Sequence, residues 1–401
     1  MRTPVEEIHK FHAELREIRH DIHAHPELAF EENRTSTIVA GKLAAWGVEV
    51  HRGLAKTGVV GVVRGRKSSS GRAVGLRADM DCLPMHETGD VPYRSRHEGR
   101  MHACGHDGHT AILLGVAKTL AEVAEDLHGR YLFVFQPAEE IVSGARQMIA
   151  NGLLEQHHAD FAIGLHLAAW AESGHVITKP GLQWSGSDAF EITFRGPGGH
   201  GGMMGRTGNV INAQAFLVER LMTVVEGLEW EDGTPCHTTI GDVKTDGAWN
   251  IVPRHAIVKG SLRTFTEKLR EEALGRLADL LLETETEFRV DAQLKLVHGT
   301  IPLINHPTPT DVVLETAREL IGDKASTLGH PLTVSDDVAE FLTRIPGCYF
   351  QLGAKPPELE VPTAHHSPFF RIDEAAFATG VRVLAGSAVR LAESESLGAG
   401  A

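Results

Sequence analysis

The stretch Tyr131-Leu132-Phe133-Val134-Phe135-Gln136-Pro137-Ala138-Glu139-Glu140 carries five apolar residues into a glutamine, a proline and two adjacent carboxylates. Five consecutive large apolar residues bounded by a proline form a strand buried on both faces, since a solvated strand would alternate. Outward from it, Gly58 to Val63, Ala73 to Ala78 and Phe161 to Leu165 are runs of the same kind. Between them, Ile112, Leu113, Val116 and Leu120 recur at helical spacing in a predicted helix from about Gly108 to Ala124, with one face buried. Strands alternating with helices predict an α/β layer. Two of the strands end in polar sequence, Ala78-Asp79-Met80-Asp81 and Gln136 to Glu140. Ligands of open α/β sheets sit at the carboxyl ends of strands, so the chemistry is expected there.

From about Trp184 to Val297 the pattern changes. Phe190, Ile192 and Phe194 alternate with Glu191, Thr193 and Arg195, as in a half-exposed strand. A helix over about 208–226 follows, then strands over 236–243 and 255–265, a helix over 267–285 and an alternating strand through Val290, Ala292, Leu294 and Leu296. The order β-α-β-β-α-β is ferredoxin-like. The α/β style resumes with helices near 310–321 and 373–391 around an apolar segment, 347–352. The expected organisation is therefore an opening segment of residues 1–183, an inserted domain of residues 184–297 and a closing segment of residues 298–401 that rejoins the opening one. Lys67 to Gly71 and the last eight residues read as flexible loops. Residues 1–23 read as an amphipathic helix (Val5, Ile8, Phe11, Leu15, Ile18, Ile22) and not as a signal peptide, which predicts a cytoplasmic protein.

Composition removes several function classes. The 401 residues include 39 Lys+Arg against 53 Asp+Glu, a formal charge of −14 with no basic cluster, so neither nucleic acid nor an anionic membrane surface is an expected partner. No apolar run approaches the ~18 residues of a membrane helix. Four scattered cysteines make no disulfide framework. Histidine is abundant, at 24 residues, and most of these are expected to be titrating surface.

The segment Met101-His102-Ala103-Cys104-Gly105-His106-Asp107-Gly108-His109 concentrates imidazoles, a thiol and a carboxylate before a helix. Cys104-x-His106 can bring sulfur and nitrogen to one ion, because alternate residues of an extended chain share a face. Alone, it reads equally as a buried thiol beside surface histidines. Glu139-Glu140, His166 at a strand end, and His365-His366 before Ser367-Pro368 shift the balance toward an open metal site. Adjacent carboxylates outside a helix diverge, so one can bind metal while the other serves as general base.

These motifs, Leu76 to Met85, His102 to His109, Phe135 to Glu140, Gly164-Leu165-His166 and Gly198-Gly199-His200, resemble the M20 metallopeptidase family, in its amidohydrolase branch of hippurate hydrolases, N-acyl-amino-acid deacylases and auxin-conjugate hydrolases. The likeness runs from Arg19-His20-Asp21-Ile22-His23 to His366-Ser367-Pro368. It implies a mixed-sheet α/β catalytic domain of zinc-exopeptidase type carrying an inserted ferredoxin-like lid and dimerisation domain. It further implies two divalent ions (Zn, Mn, Co or Ni) held by Cys104, His106, Glu140, His166 and His366, the last preferred over His365 because the family pattern is His, one residue, then Pro.

By the same resemblance Glu139 is the general base and Asp81 orients a metal ligand. Asp79 stands where other branches carry a metal histidine and receives no role. His200 matches an oxyanion-stabilising lid histidine, acting in its own or a partner subunit, while Asn250 and Arg263 match contacts to the substrate. The chain departs from the family at Gly201-Gly202-Met203-Met204-Gly205, at Asn209 and at Ser335-Asp336-Asp337. The implied activity is hydrolysis of N-acyl amino acids by a homodimer or a dimer-based oligomer. The alternatives are a dipeptidase or carboxypeptidase and, in another class, a non-catalytic metal-binding protein.

Overall fold

A computed structural model describes residues 12–203, 205 and 208–394. Val5, Ile8 and Phe11 of the expected first helix, and nearly all of the expected C-terminal loop, lie outside these residues. The chain divides into two compact units, one of 1–181, 304–328 and 337–401, the other of 182–303 and 329–336. The segment 329–336 thus groups with the inserted domain and not with the closing segment. Its Leu332 exchanges backbone hydrogen bonds with Gln183 and Ser185.

The first unit is built on an eight-stranded mixed sheet, in the order Glu49–Leu54, Gly58–Arg64, His128–Gln136, Ser68–Asp79, Phe161–Glu172, Gly347–Lys355, Val176–Thr178, Ala325–Thr327. Its four central strands, from His128–Gln136 to Gly347–Lys355, run parallel. Tyr131 to Phe135 are all buried, as a central parallel strand requires. Each such side chain is worth roughly 1.5–3 kcal/mol of transfer free energy. Two expectations change. Lys67 to Gly71 is no loop from Ser68 onward, because Ser68 pairs with His128. His166 is not a strand end, since its strand continues to Glu172 in register with Gly347–Lys355.

Helices His12–Ala24, His106–Glu122 and Ala376–Glu393 pack together, the last also covering the central strands. Helix His106–Glu122 is buried around its whole circumference through Ala117, not on one face as its periodicity predicts. Sandwiching between two helices is the reason. At Gly115 an added Cβ would stand 2.8 Å from both Leu15 Cδ1 and Val381 Cγ2, so a larger residue would force these packed side chains to shift.

The second unit is an antiparallel sheet in the order His237–Thr245, His255–Thr264, Gly186–Arg195, Asp291–Thr300, with helices Val210–Arg220 and Glu267–Phe288. This is the ferredoxin-like arrangement. Phe190, Ile192 and Phe194 are buried while their neighbours alternate outward. Asn209 caps the first helix, its Oδ1 accepting the Ile211 N–H, and Thr266 caps the second through Leu269 N–H; each cap contributes about 1 kcal/mol. Among the described residues no helix is long and apolar enough to cross a membrane.

Candidate metal centre

Two parallel neighbours, ending at Asp79 and Gln136, deliver the loops that build the site. Asp81 shapes the second of these loops. Its Oδ1 accepts the Glu139 N–H and its Oδ2 the Glu140 N–H, both at 3.0 Å, so one carboxylate fixes the backbone of both glutamates. Before them Ala138 has φ 55°, a left-handed conformation uncommon for a residue with a side chain. Buried Glu32 holds it there, accepting the Ala138 N–H at 2.9 Å. Burial pushes the Glu32 carboxyl up to about 7 against the hydrogen bond from Thr57.

Helix His106–Glu122 begins after Gly105, whose φ of 99° turns the chain sharply from Cys104 into the helix. His106 Nδ1–H donates to the Asp81 carbonyl at 2.9 Å, aiming Nε2 at the carboxylates. That nitrogen is buried without a hydrogen-bond partner, 3.7 Å from Asp79 Oδ2, 3.9 Å from Glu139 Oε2 and 3.8 Å from Glu140 Oε1. Glu140 Oε1 is likewise unpartnered. His166 Nδ1–H donates to the Leu167 carbonyl at 2.9 Å, and its Nε2 lies 3.5 Å from Cys104 Sγ. His366, at φ 61°, places Nε2 3.5 Å from Glu140 Oε2. His365 turns elsewhere, its Nε2 accepting the Ala169 N–H at 3.3 Å.

The donor atoms gather into groups within 4.8 Å: Cys104 with His106 and His166, Cys104 with Glu140 and His366, and His106 with Glu139 and Glu140. The first two share Cys104. These residues fit divalent cations. Both histidines spend Nδ1–H on a backbone carbonyl, the usual way a protein orients an Nε2 ligand. Orphaned buried polar atoms beside three carboxylates call for a positive partner. Burial, helped by the His109 and His365 rings, holds His166 well below the usual histidine range and hence neutral, as a ligand must be. Burial pushes Glu140 up to about 7, with Asp81 and Asp79 adding to the rise against His106.

In the second unit, His200 and Asn250 come together. His200 pairs in register with Ile251, the Gly201 N–H donates to the Asn250 carbonyl at 2.8 Å, and both side chains are exposed. Met203, Trp249 and Ile251 are exposed on the same segments. Arg263 lies on strand His255–Thr264. It is half-buried and donates to Ser335 Oγ at 2.9 Å.

Several residues without an assigned role prove central. His109 donates from Nδ1 to Asp79 Oδ1 at 2.6 Å and accepts the Leu167 N–H on Nε2 at 2.9 Å. Arg77 spans Asp79, Gln136, Tyr349 and Asp337. One signal for His109 lies in the sequence, since residues three apart on a helix share a face and His106 is one of them. Nothing local marks Arg77. The histidines are also less superficial than composition suggests, with His23, His102, His106, His109 and His157 buried.

This chain matches the family description "Peptidase family M20/M25/M40" over residues 75–390. It is 36% identical over 343 residues to a hippurate hydrolase of Campylobacter jejuni, covering 84% of this chain and 87% of that one. It is 33% identical over 383 residues to an N-acetyl-L-cysteine deacetylase of Bacillus subtilis, covering 94% and 88%. The crystal structure of the Bacillus subtilis YXEP protein, described as a dinuclear metal-binding peptidase of the M20 family, superposes with a TM-score of 0.78 at 28% identity, covering 96% and 99%. With a family match across most of its length and relatives aligned nearly end to end, the chain belongs to peptidase family M20, in its amidohydrolase branch, and is a metal-dependent hydrolase of C–N bonds.

Proposed function

We propose that this hydrolase cleaves the amide bond of N-acyl amino acids, releasing a carboxylic acid and a free amino acid. The observation that carries the reading is the pair of glutamates held by Asp81. Glu140 stands among the Cys104, His106 and His366 donors, while Glu139 faces the same space from the adjacent position. Cys104, His106, Glu140, His166 and His366 would hold two divalent ions drawn from Zn, Mn, Co or Ni. Such ions supply Lewis acidity and a water that loses its proton near neutral pH.

Glu139 takes the proton of the attacking water and returns it to the leaving amine, which needs a carboxylate beside the donors and not consumed by them. Asp81 keeps that carboxylate in place by fixing its backbone. His200 steadies the oxyanion that forms as the carbonyl is attacked. Arg263 and Asn250 hold the α-carboxylate of the amino-acid half. Relatives named hippurate hydrolase and N-acetyl-L-cysteine deacetylase support a small acylated amino acid as substrate. A cytoplasmic homodimer completes the reading, and light scattering in solution tests the dimer.

The test is a hydrolysis screen of N-acetyl and N-benzoyl amino acids beside dipeptides, after reconstitution with each metal in turn. Turnover of acylated amino acids well above dipeptides supports the proposal. Preference for dipeptides overturns it in favour of a peptidase, and two bound metals without any turnover favour a non-catalytic protein.

A further inference from the structure

Asp79 lies at a strand end facing His106 and is fully buried. By distance alone, Asp79, His106 and His109 form a possible ligand group of their own. Hydrogen bonding closes that group. The Leu167 N–H occupies the lone pair of His109 Nε2, and the proton on Nδ1 is given to Asp79 Oδ1, so this imidazole has no electron pair left for a metal. The second oxygen of Asp79 accepts Arg77 Nη1–H at 2.8 Å.

Arg77 extends the connection across the sheet. Its Nε–H donates to Gln136 Oε1 at 2.9 Å, Nη1 reaches the Tyr349 hydroxyl at 3.1 Å, and Nη2 donates to Asp337 Oδ1 at 3.2 Å. Asp337 also accepts Gln136 Nε2–H at 2.6 Å and the Ala145 N–H at 3.0 Å. Gln136 and Ala145 are the two ends of the loop that carries Glu139 and Glu140, and Leu167 is the backbone neighbour of His166. One buried guanidinium therefore stands between the two arms of the centre. On one side it runs through Asp79 and His109 to the His166 strand, and on the other through Gln136 and Asp337 to the glutamate loop. A guanidinium suits this place because its planar fork offers five donors in fixed directions.

We propose that Arg77, Asp79 and His109 are positioning residues that set the spacing between His166 and the Glu139-Glu140 loop, and that Asp79 is not itself a metal ligand. The inference rests on the reading of Cys104, His106, Glu140, His166 and His366 as the metal centre. Residues that orient ligands commonly change metal affinity by 10–100-fold when replaced, without removing a site.

Two experiments test it. In the unaltered full-length protein labelled with nitrogen-15 histidine, long-range proton–nitrogen correlation should show His109 with its proton on Nδ1, unmoved when Zn²⁺ is added. A proton on Nε2, or a His109 nitrogen that shifts as a metal ligand, overturns the proposal. In Asp79→Asn, saturating Zn²⁺ should still give two bound equivalents, with apparent affinity about 10–100-fold weaker and kcat lowered at nearly unchanged KM. Arg77→Lys, which keeps the charge and loses the fork, should behave alike. One equivalent at saturation marks Asp79 as a ligand, and unaltered affinity and kcat mark it as idle; either result overturns the proposal. Should the variants fail to fold, as a melting curve shows, the histidine spectrum of the parent decides. If the parent binds no Zn²⁺, the metal-centre reading fails, whereas the His109 tautomer still reports on the hydrogen-bond path.

Discussion

His106 and Asp107 are consecutive residues at the start of one buried helix, and they face two different kinds of polar interior. On the His106 side, an imidazole nitrogen and a glutamate oxygen are buried without hydrogen-bond partners, amid three carboxylates and a thiol. On the Asp107 side, charge meets opposite charge. Asp107 Oδ2 accepts Arg19 Nε–H at 2.7 Å and His23 Nδ1–H at 2.8 Å, and Arg19 Nη1 continues to Glu374 at 2.9 Å. His23 places its other nitrogen 3.1 Å from Glu87. With a carboxylate at each ring nitrogen, the protonated form of His23 is the one that can donate to both. Against the cost of burial, Asp107 and Glu87 raise its pKa. The same paired charges, Arg19 above all, hold Asp107 well below the usual carboxylate range despite its burial. Asp107 Oδ1 is also buried without a hydrogen-bond partner, so the two sides differ in charge balance: the carboxylates crowded around His106 call for a cation, whereas Asp107, matched by Arg19 and His23, holds the helix start in place.

The sharpest break of this comparison comes from the reactive side. Glu139→Gln keeps size and removes the proposed base, so turnover should fall by about 10²–10⁴-fold while bound metal, measured by elemental analysis, stays constant. Substantial remaining activity rejects Glu139 as base. Acidification should act on the same side, because imidazole, thiolate and carboxylate bind metal only when deprotonated. Dialysis below about pH 5 against buffer without chelator should release metal that dialysis at about pH 7 leaves bound; retention at both values denies the assigned ligands.

On the paired side the expected effect is on stability. His23→Leu leaves Asp107 and Glu87 short of a cation and should cost roughly 3–5 kcal/mol, read by denaturant unfolding. The pH dependence has a definite sign. Because the folded pKa of His23 is raised, its contribution is complete below the unfolded value of about 6.5 and fades as pH rises through the folded value. The difference in stability between parent and variant should therefore shrink toward alkaline pH, and a difference that grows refutes the imidazolium. The smallest effect is expected at the surface. Arg66 and Glu125 form an ion pair with side chains 66% and 74% exposed, and Arg66→Ala should change stability by no more than about 1 kcal/mol. A larger loss would mean that exposure does not separate structural from incidental charges in this protein.

Much of this molecule is legible in its sequence. The buried strand 131–135, the helix after Cys104-x-His106 and the βαββαβ order follow from local spacing, and local spacing is what a one-dimensional chain displays. The proposed ligand set Cys104, His106, Glu140, His166 and His366 rests on residue type and motif, and the structure brings these donor atoms into shared groups. Other features are not legible in the sequence. The apolar stripe of helix His106–Glu122 understates its burial, because a second helix packs on the face that looks free. The strand through His166 runs on, because its partner Gly347–Lys355 lies about 180 residues away in the chain and offers it a continuous edge.

Sequence alone determined which side chains are capable of holding metal and moving a proton, since that depends on the atoms each residue brings. Only the tertiary structure decided that His106 aims Nε2 and not Nδ1 at the carboxylates, that His366 and not His365 turns toward Glu140, and that Asp79 is locked between Arg77 and His109. The reason is physical. A hydrogen bond is set by distances of about 3 Å between groups brought together by strand register and helix packing, and those distances are fixed only when the whole core has formed.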